Sequence, residues 1–363
     1  MSDYKSKLDE LLLITAKQNA SDLHLIIGQQ PTLRIDSVLV PIQNELLLTP
    51  EATEGLVGAL LTPEQKESFL RRKELDFSYS LDEKARFRVN VYFQRGSMSV
   101  AFRFIPSKIR TIDELSLPPI MHDFTKLSQG FFLAVGPAGQ GKSTTLAALV
   151  DEINHQRTEH IITIEDPIEY IFIQNRSIIS QREVGQDTLT FHKALRSVLR
   201  QDPDVIMIGE MRDPISISTA LTAAETGHLV FSTLHTNSAA QTIDRIIDTF
   251  PPEQQSQIAS QLAATLVGII SQRLIPKLGG GRVPAYEIMM VNSAIKNLIR
   301  EKKIYQVDLV IETSSQEGMI TLNHSLADLV KRGVVSRGNA ELHSTNLADF
   351  RILLEKSSSS RSK

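Results

Sequence analysis

The sequence predicts an α/β fold with a smaller α+β domain ahead of it, and three observations carry that reading. An apolar run at 131–135 leads into Gly136, Pro137, Ala138, Gly139, Gln140, Gly141, Lys142, Ser143 and Thr144, and an apolar-periodic helix follows. This is the strand–loop–helix setting of a P-loop. Two later apolar runs, at 161–164 and 205–208, end in carboxylates at Glu165 and Glu210. The carboxyl ends of strands are where an open α/β sheet places its chemistry. Before all of these, residues 86–104 alternate apolar and polar side chains on either side of Arg95-Gly96, the period of a half-buried hairpin.

A chain of 363 residues is long enough for two domains and a large core. It is 41% apolar, and no run approaches the length of a membrane span. The first ten residues mix acidic and basic side chains, unlike a secretory signal. The absence of cysteine rules out a disulfide framework and a thiolate metal site, and suits a cytoplasmic address. Thirty-nine basic against 42 acidic residues give a formal charge of −3. That excludes a uniformly basic surface for nucleic acid and leaves a local basic channel open.

Residues 1–105 form the expected first domain. Leu8, Leu11, Leu12 and Thr15 share one side of an opening helix, and the runs at 22–27 and 32–40 read as two short strands. Thr49-Pro50 and Thr62-Pro63 each start a helix with proline in first position, and Thr62 with Gln65 makes a capping box. In the hairpin, Phe87, Val89, Val91 and Phe93, then Met98, Val100, Phe102 and Phe104, form an apolar face. Arg86, Arg88, Arg95 and Arg103 make the other face basic. Two readings of those arginines stand. They are a solvated outer surface, or Arg88, Arg95 and Arg103 are lent to a neighbouring copy, where they stabilise charge on a transferring phosphoryl group. Residues 106–127, with adjacent prolines and little periodicity, read as the interdomain linker.

The second domain is expected over 128–350. Its glycine-rich loop lets backbone amides curl round phosphates, and the helix behind it offers free amides and a positive end. Lys142 adds a mobile charge over the outer phosphates and Ser143 an oxygen for Mg²⁺. The run 160–165 reads as a strand beside the P-loop strand, with Glu165 poised to orient and deprotonate an attacking water. Alternatively Asp166-Pro167 merely caps the strand and starts a turn. A helix at 191–201 buries Leu195, Val198 and Leu199 and shows Arg196 and Arg200 on one face, for the nucleotide, for an interface or for surface pairing. Glu210 would hold Mg²⁺, through a bound water given that ion's reluctance to dehydrate, and Met211-Arg212-Asp213 crowds the same strand end with charge. The run 226–238 is a strand with His228 at its start and His235 at its end. Their separation in an extended run rules out a shared metal. His235 either pairs with a backbone carbonyl or reaches the terminal phosphate of a nucleotide, with Ser232, Thr233 and Thr236 to assist. Beyond it, helices are expected at 238–247 and 251–270, strands at 273–276 and 283–291, and helices at 292–300 and 325–331. The serine-rich tail, 351–363, is expected to be disordered.

With these residues in place, the chain resembles the secretion and type IV pilus ATPases, and more closely the retraction ATPases among them. Ala20-Ser-Asp-Leu-His-Leu25 matches that family's opening segment, and 136–145 its Walker A loop. Thr163-Ile-Glu-Asp-Pro-Ile-Glu169 matches its acidic box, Ile208-Gly-Glu-Met-Arg-Asp213 its Walker B, and 226–239 its histidine box. Ala294-Ile-Lys-Asn-Leu-Ile-Arg-Glu301 is close to a late signature of retraction motors. The resemblance covers nearly the whole chain. It implies a PAS-like N-terminal domain, a RecA-like P-loop ATPase core and a homohexameric ring with ATP and Mg²⁺ bound. Glu165 would be the catalytic base, Glu210 the magnesium-side acid, His235 the γ-phosphate sensor, and Arg88, Arg95 and Arg103 trans arginines. It also implies an inner-membrane platform protein as partner, reached from the cytoplasmic side, a second retraction ATPase as a further one, and no nucleic acid. The chain departs from the family at Ala138 and Gln140, where Thr and Ser are usual, and at Lys296, where the signature has arginine. Three other readings stand beside retraction. Extension or secretion ATPases of the same superfamily usually carry a longer N-terminal region and often four zinc-binding cysteines. A nucleotide-gated scaffold would not need Lys142, Glu165 and Glu210 together. A DNA motor would want more positive charge.

Overall fold

The computed structural model describes residues 2–18, 20–35, 38–81, 85–105, 108–211 and 213–355. Arg212, residues 106–107 of the stretch read as a linker, and the tail from 356 lie outside the described residues. The chain divides into two compact units, Met1–Lys108 with Pro167–Ile171, and Ile109–Asp166 with Phe172–Lys363.

The first unit is an antiparallel sheet covered by helices. Its elements are α1 (Ser2–Lys17), β1 (Asp22–Leu25), β2 (Thr32–Ile35), β3 (Val38–Pro41), α2 (Pro50–Leu60), α3 (Pro63–Arg72), β4 (Glu74–Leu81), β5 (Ala85–Gln94) and β6 (Ser97–Ile105). The run at 32–40, expected as one strand, is two paired ones, β2 and β3. The six strands lie in the order β3-β2-β1-β6-β5-β4. Leu8, Leu11 and Leu12 of α1 and Leu56 and Val57 of α2 pack on Leu23, Leu25, Phe87, Val89, Val91, Val100 and Phe102 of the sheet. The capping box of α3 is formed: Gln65 N donates to Thr62 Oγ1 at 3.2 Å, and Thr62 N donates to Gln65 Oε1 at 3.0 Å. β4 has no counterpart in the expected elements, because of its side chains only Phe77 and Leu81 are buried.

The second unit carries α4 (Met121–Phe124), β7 (Gly130–Val135), α5 (Lys142–Gln156), β8 (His160–Glu165), β9 (Ile178–Glu183), α6 (Phe191–Val198), β10 (Val205–Ile208), α7 (Pro214–Glu225), β11 (Leu229–Leu234), α8 (Ala239–Asp248), α9 (Pro252–Thr265), β12 (Leu266–Pro276) and β13 (Arg282–Met290). Helices α10 (Ser293–Arg300), α11 (Val307–Thr313), α12 (Leu322–Lys331), α13 (Arg337–His343) and α14 (Leu347–Glu355) close it. The seven strands run β13-β12-β7-β11-β10-β8-β9, all parallel except β13 at the edge. β7 and β11 are buried at every position, as a sheet covered on both faces requires. Phe131, Leu133 and Val135 join Ile217, Leu221, Ile243, Ile246 and Leu262 in the main core. Phe132, pointing to the opposite face, packs between Phe124, whose ring is tilted to it, and Phe231, which meets it edge-on.

Three expectations change. β8 is not beside the P-loop strand: β11 and β10 stand between them, since β9 takes the outer edge beyond β8 and the chain then returns to lay β10 and β11 on the side of β8 nearer β7. The helix expected to reach residue 270 ends at Thr265. From Leu266 the chain pairs with β7 instead, where Ile269 and Ile270 are fully buried and β-branched side chains suit a covered strand. Of the stretch expected to be disordered from 351, residues 351–355 instead continue α14, anchored by buried Phe350. Of the stretch read as a linker, the part from Ile109 clusters with the second unit, and Ile112, Leu117, Met121 and Phe124 are buried there.

Gly268 lies under Phe124, so a Cβ at that position would come within 2.5 Å of the ring. Gly268→Ala therefore forces a buried aromatic aside and lowers stability by about 1–3 kcal/mol, read as a Tm fall of several degrees by calorimetry. An unchanged Tm would mean the ring has room to swing.

Candidate active site

The candidate groups converge at the carboxyl ends of four neighbouring strands. β7 runs into the loop 136–141, whose glycines hold left-handed backbone: φ is 144° at Gly136, 73° at Gly139 and 84° at Gly141. Gly136 also abuts β12, where a Cβ would stand 2.5 Å from Gln272 O. Gly141 caps α5, leaving that helix's first amides with the loop's own to face an anion. Pro137, Ala138, Gly139 and Gln140 form the loop's outer turn, while Ser143 and Thr144 follow Lys142 in the first turn of α5.

β12 frames the loop from the side. Gln272 Nε2 donates to Gln140 O at 2.6 Å, Gln272 Oε1 accepts from Thr145 Oγ1 at 2.8 Å, and Gln140 Oε1 accepts from Leu274 N at 2.6 Å. Gln140, a departure from the resembled family, thus fastens the loop to β12. Gln272 gave no sign in the sequence, because an isolated glutamine in an apolar run has no motif.

Lys142, buried at the loop, donates from Nζ to Gly136 O at 2.8 Å and Pro137 O at 3.0 Å and lies 3.3 Å from His235 Nδ1. His235 Nε2 is 3.2 Å from Glu210 Oε1. A lysine ammonium only donates, so Nδ1 accepts, and the proton on Nε2 points at Glu210. Lys142, His235 and Glu210 therefore form one hydrogen-bonded line, with the neutral imidazole between a cation and an anion. Glu165, 5% exposed, ends β8; its Oε1 accepts from Thr163 Oγ1 at 2.7 Å and Gln181 Nε2 at 3.3 Å. Those donors fix one carboxylate oxygen. Gln181 comes from β9, an element without a sequence signal.

Other candidates have structural partners. Ser232 Oγ donates to Ile208 O and Thr233 Oγ1 to Gly209 O, tying β11 to β10. Thr236 pairs with Thr242. Asp213 caps α7, accepting from Ser216 N at 2.9 Å, and meets His192 at 3.0 Å. His228 Nδ1 is 2.8 Å from Ala223 O at the other end of β11. Arg196 and Arg200 are exposed.

Arg88, Arg95 and Arg103 belong to the first unit. Arg88 and Arg103 face each other across β5–β6, and Arg103 Nε is 3.0 Å from Asp22. Arg95 is not on that face. It sits in the turn with φ 51°, followed by Gly96 at 80°, the two left-handed residues of a type I′ hairpin.

Among the described residues no cluster of three or more His, Asp or Glu could cage a metal. The Ser143 hydroxyl and Glu210 instead fit Mg²⁺, which takes one or two protein oxygens and completes its shell with phosphates and water.

Residues 6–281 match the family model for Type II/IV secretion system proteins. The type IV pilus retraction ATPase PilT of Pseudomonas aeruginosa is 47% identical over 333 residues, covering 92% of this chain and 96% of its own. The type IV pilus ATPase PilU of the same organism is 35% identical over 98% of this chain and 93% of its own. A crystal structure of the pilus retraction motor PilT with bound ADP superposes with a TM-score of 0.88 at 44% identity, covering 94% of this chain and 98% of that one.

Gln272→Ala removes two bonds of the loop's frame. We expect nucleotide Kd to rise about tenfold in a titration with fluorescent ADP. An unchanged Kd would show that the loop holds its shape without β12.

Proposed function

The chain belongs to the Type II/IV secretion system protein family and is an ATP hydrolase, and from that premise we propose that it is the motor that retracts a type IV pilus and so drives twitching motility. The observation that carries this reading is the likeness to retraction ATPases along nearly the full chain, together with the hydrogen-bonded line Lys142–His235–Glu210 at the P-loop.

In this reading the second unit is a RecA-like core and the first a PAS-like domain. The P-loop amides and the start of α5 bind the β- and γ-phosphates, and Lys142 turns from the carbonyls of Gly136 and Pro137 towards them. Glu165, steadied by Thr163 and Gln181, orients water in line with the γ-phosphorus and takes its proton. His235 presents its ring to the γ-phosphate while Glu210 fixes the tautomer. Ser143 and, through water, Glu210 would hold Mg²⁺, which when bound would supply positive charge to the phosphates. Arg88, Arg95 and Arg103 of a neighbouring copy offset the charge that builds on the transferring group. Such sharing requires a closed ring, and we take it to be a homohexamer. Hydrolysis swings one unit against the other, and the ring acts on a platform protein at the cytoplasmic face of the inner membrane, beside a second retraction ATPase where one is present. No helix among the described residues is long and apolar enough to cross a membrane, so the ring would be held there by that partner.

Glu165→Gln keeps the shape of the side chain and removes the base. Turnover in a phosphate-release assay should fall by about a hundredfold or more with ATP affinity kept. A rate within about twofold of wild type would end the assignment. In cells, deleting the gene should leave excess surface pili that do not retract, whereas bald cells would make the protein an extension motor.

A further inference from the structure

The turn 235–238, which joins β11 to α8 and carries His235, is held from outside by β12 and β13. Ser271 Oγ donates to Asn237 O at 3.0 Å, and Arg273 Nη2 lies 3.3 Å from Asn237 Oδ1. Glu287 Oε1 accepts the amide hydrogen of Ala239 at 2.7 Å. Ser271 and Glu287 are direct cross-strand partners. Along β12, Gln272 and Leu274 fasten the P-loop, while Ser271 and Arg273, pointing to the other face, fasten this turn. The Ser238 side chain already caps α8 by accepting from Gln241 N, so it does not serve the Ala239 amide, one of the donors a helix leaves without an internal partner. Glu287 serves it from a different element. None of the hydrolytic roles assigned above uses Glu287.

We propose that Glu287 is a positioning residue for His235: by holding the first amide of α8 it sets how firmly the turn offers the imidazole to the terminal phosphate. The proposal rests on the reading of His235 as the group that meets that phosphate.

The chemistry of the site makes the clamp sensitive to proton concentration. Burial pushes the Glu287 carboxyl up to about 7; the Ala239 amide pulls it down, Asp308 of α11 raises it and Arg273 of β12 lowers it. The first turn of α8 contributes no acidic side chain. Glu312 of α11, His324, Asp328 and Lys331 of α12 and Arg332 just past its end line the same cavity of about 1270 Å³. Below pH 7 the neutral carboxyl accepts an ordinary hydrogen bond. Above it the carboxylate accepts a charge-assisted one and faces the positive end of α8. The turn therefore tightens as pH rises through 7. Folding stability runs the opposite way. Between the ordinary value of 4.5 and about 7 the folded chain keeps a proton that the unfolded chain releases, so this group's contribution falls as pH rises across that window.

The test is kcat and KM for ATP from about pH 6 to about pH 8 for wild type, Glu287→Gln and His235→Ala. Glutamine mimics the neutral carboxyl. Wild type and Glu287→Gln should agree at the acid end and diverge roughly fivefold in kcat at the alkaline end, the difference between a neutral and a charged acceptor, with KM unchanged. A merely structural loss would lower kcat by one factor at every pH. Glu287→Gln curves that parallel wild type overturn the proposal. If His235→Ala leaves turnover unchanged, the sensor reading itself has failed, a separate result. Ser271→Ala cuts a second tie to the same turn without touching the carboxyl. Should Glu287→Gln not fold, Ser271→Ala leaves the turn to the Glu287 tie and is expected to steepen the change of kcat with pH relative to wild type, with KM constant; a curve parallel to wild type there also overturns the proposal.

Discussion

Gly136 lies so near the carbonyl oxygen of Gln272 that a single added carbon would collide with it. This contact sets the shape of the nucleotide loop. A loop that must turn its amides inward has no side-chain core of its own, so something outside must hold it. β12 pairs with β7 as far as Ser271↔Val135, then continues to Pro276 after β7 has ended. The overhang is the wall against which the loop is built, with Gln272 and Leu274 as its fixing points. Because alternate residues of a strand point to opposite faces, β12 also holds the His235 turn, with Ser271 at the last pair with β7 and Arg273 on the overhang.

Strand order explains why the polar groups line up. Adjacent strands lie about 5 Å apart, and the sheet runs β7, β11, β10, β8. Groups at the carboxyl ends of those strands must follow in that sequence: Lys142 after β7, His235 after β11, Glu210 after β10, Glu165 at the end of β8. The insertion of β11 and β10 between β7 and β8 gives Glu165 its distance from Lys142 and leaves His235 and Glu210 between them.

Much of this was legible in the chain, for reasons that differ by element. The P-loop, the acid-tipped strands and the hairpin announce themselves because backbone geometry restricts which residues can stand there: glycines at left-handed positions, unbroken apolar runs under two-sided cover, strict alternation under one-sided cover. The caps of α2 and α3 were visible because their partners lie within one turn. Strand neighbours were not, since nothing in 160–165 says that two other strands will come between it and β7. Gln272 and Gln181 were silent for the same reason: their partners are distant in sequence and their side chains belong to no motif. The boundary between α9 and β12 was missed because a run of buried apolar residues suits either structure, and pairing with β7 decides it.

Arg95 stands where a hairpin of this type favours asparagine or glycine, with left-handed backbone that a long side chain adopts at a cost of about 1–2 kcal/mol. The strands it joins are well paired and gain nothing from a guanidinium at their tip. A library selected for heat resistance alone would therefore drift away from arginine at that codon. The arginine therefore stands at the tip at the expense of backbone energy, and stability alone does not account for its place.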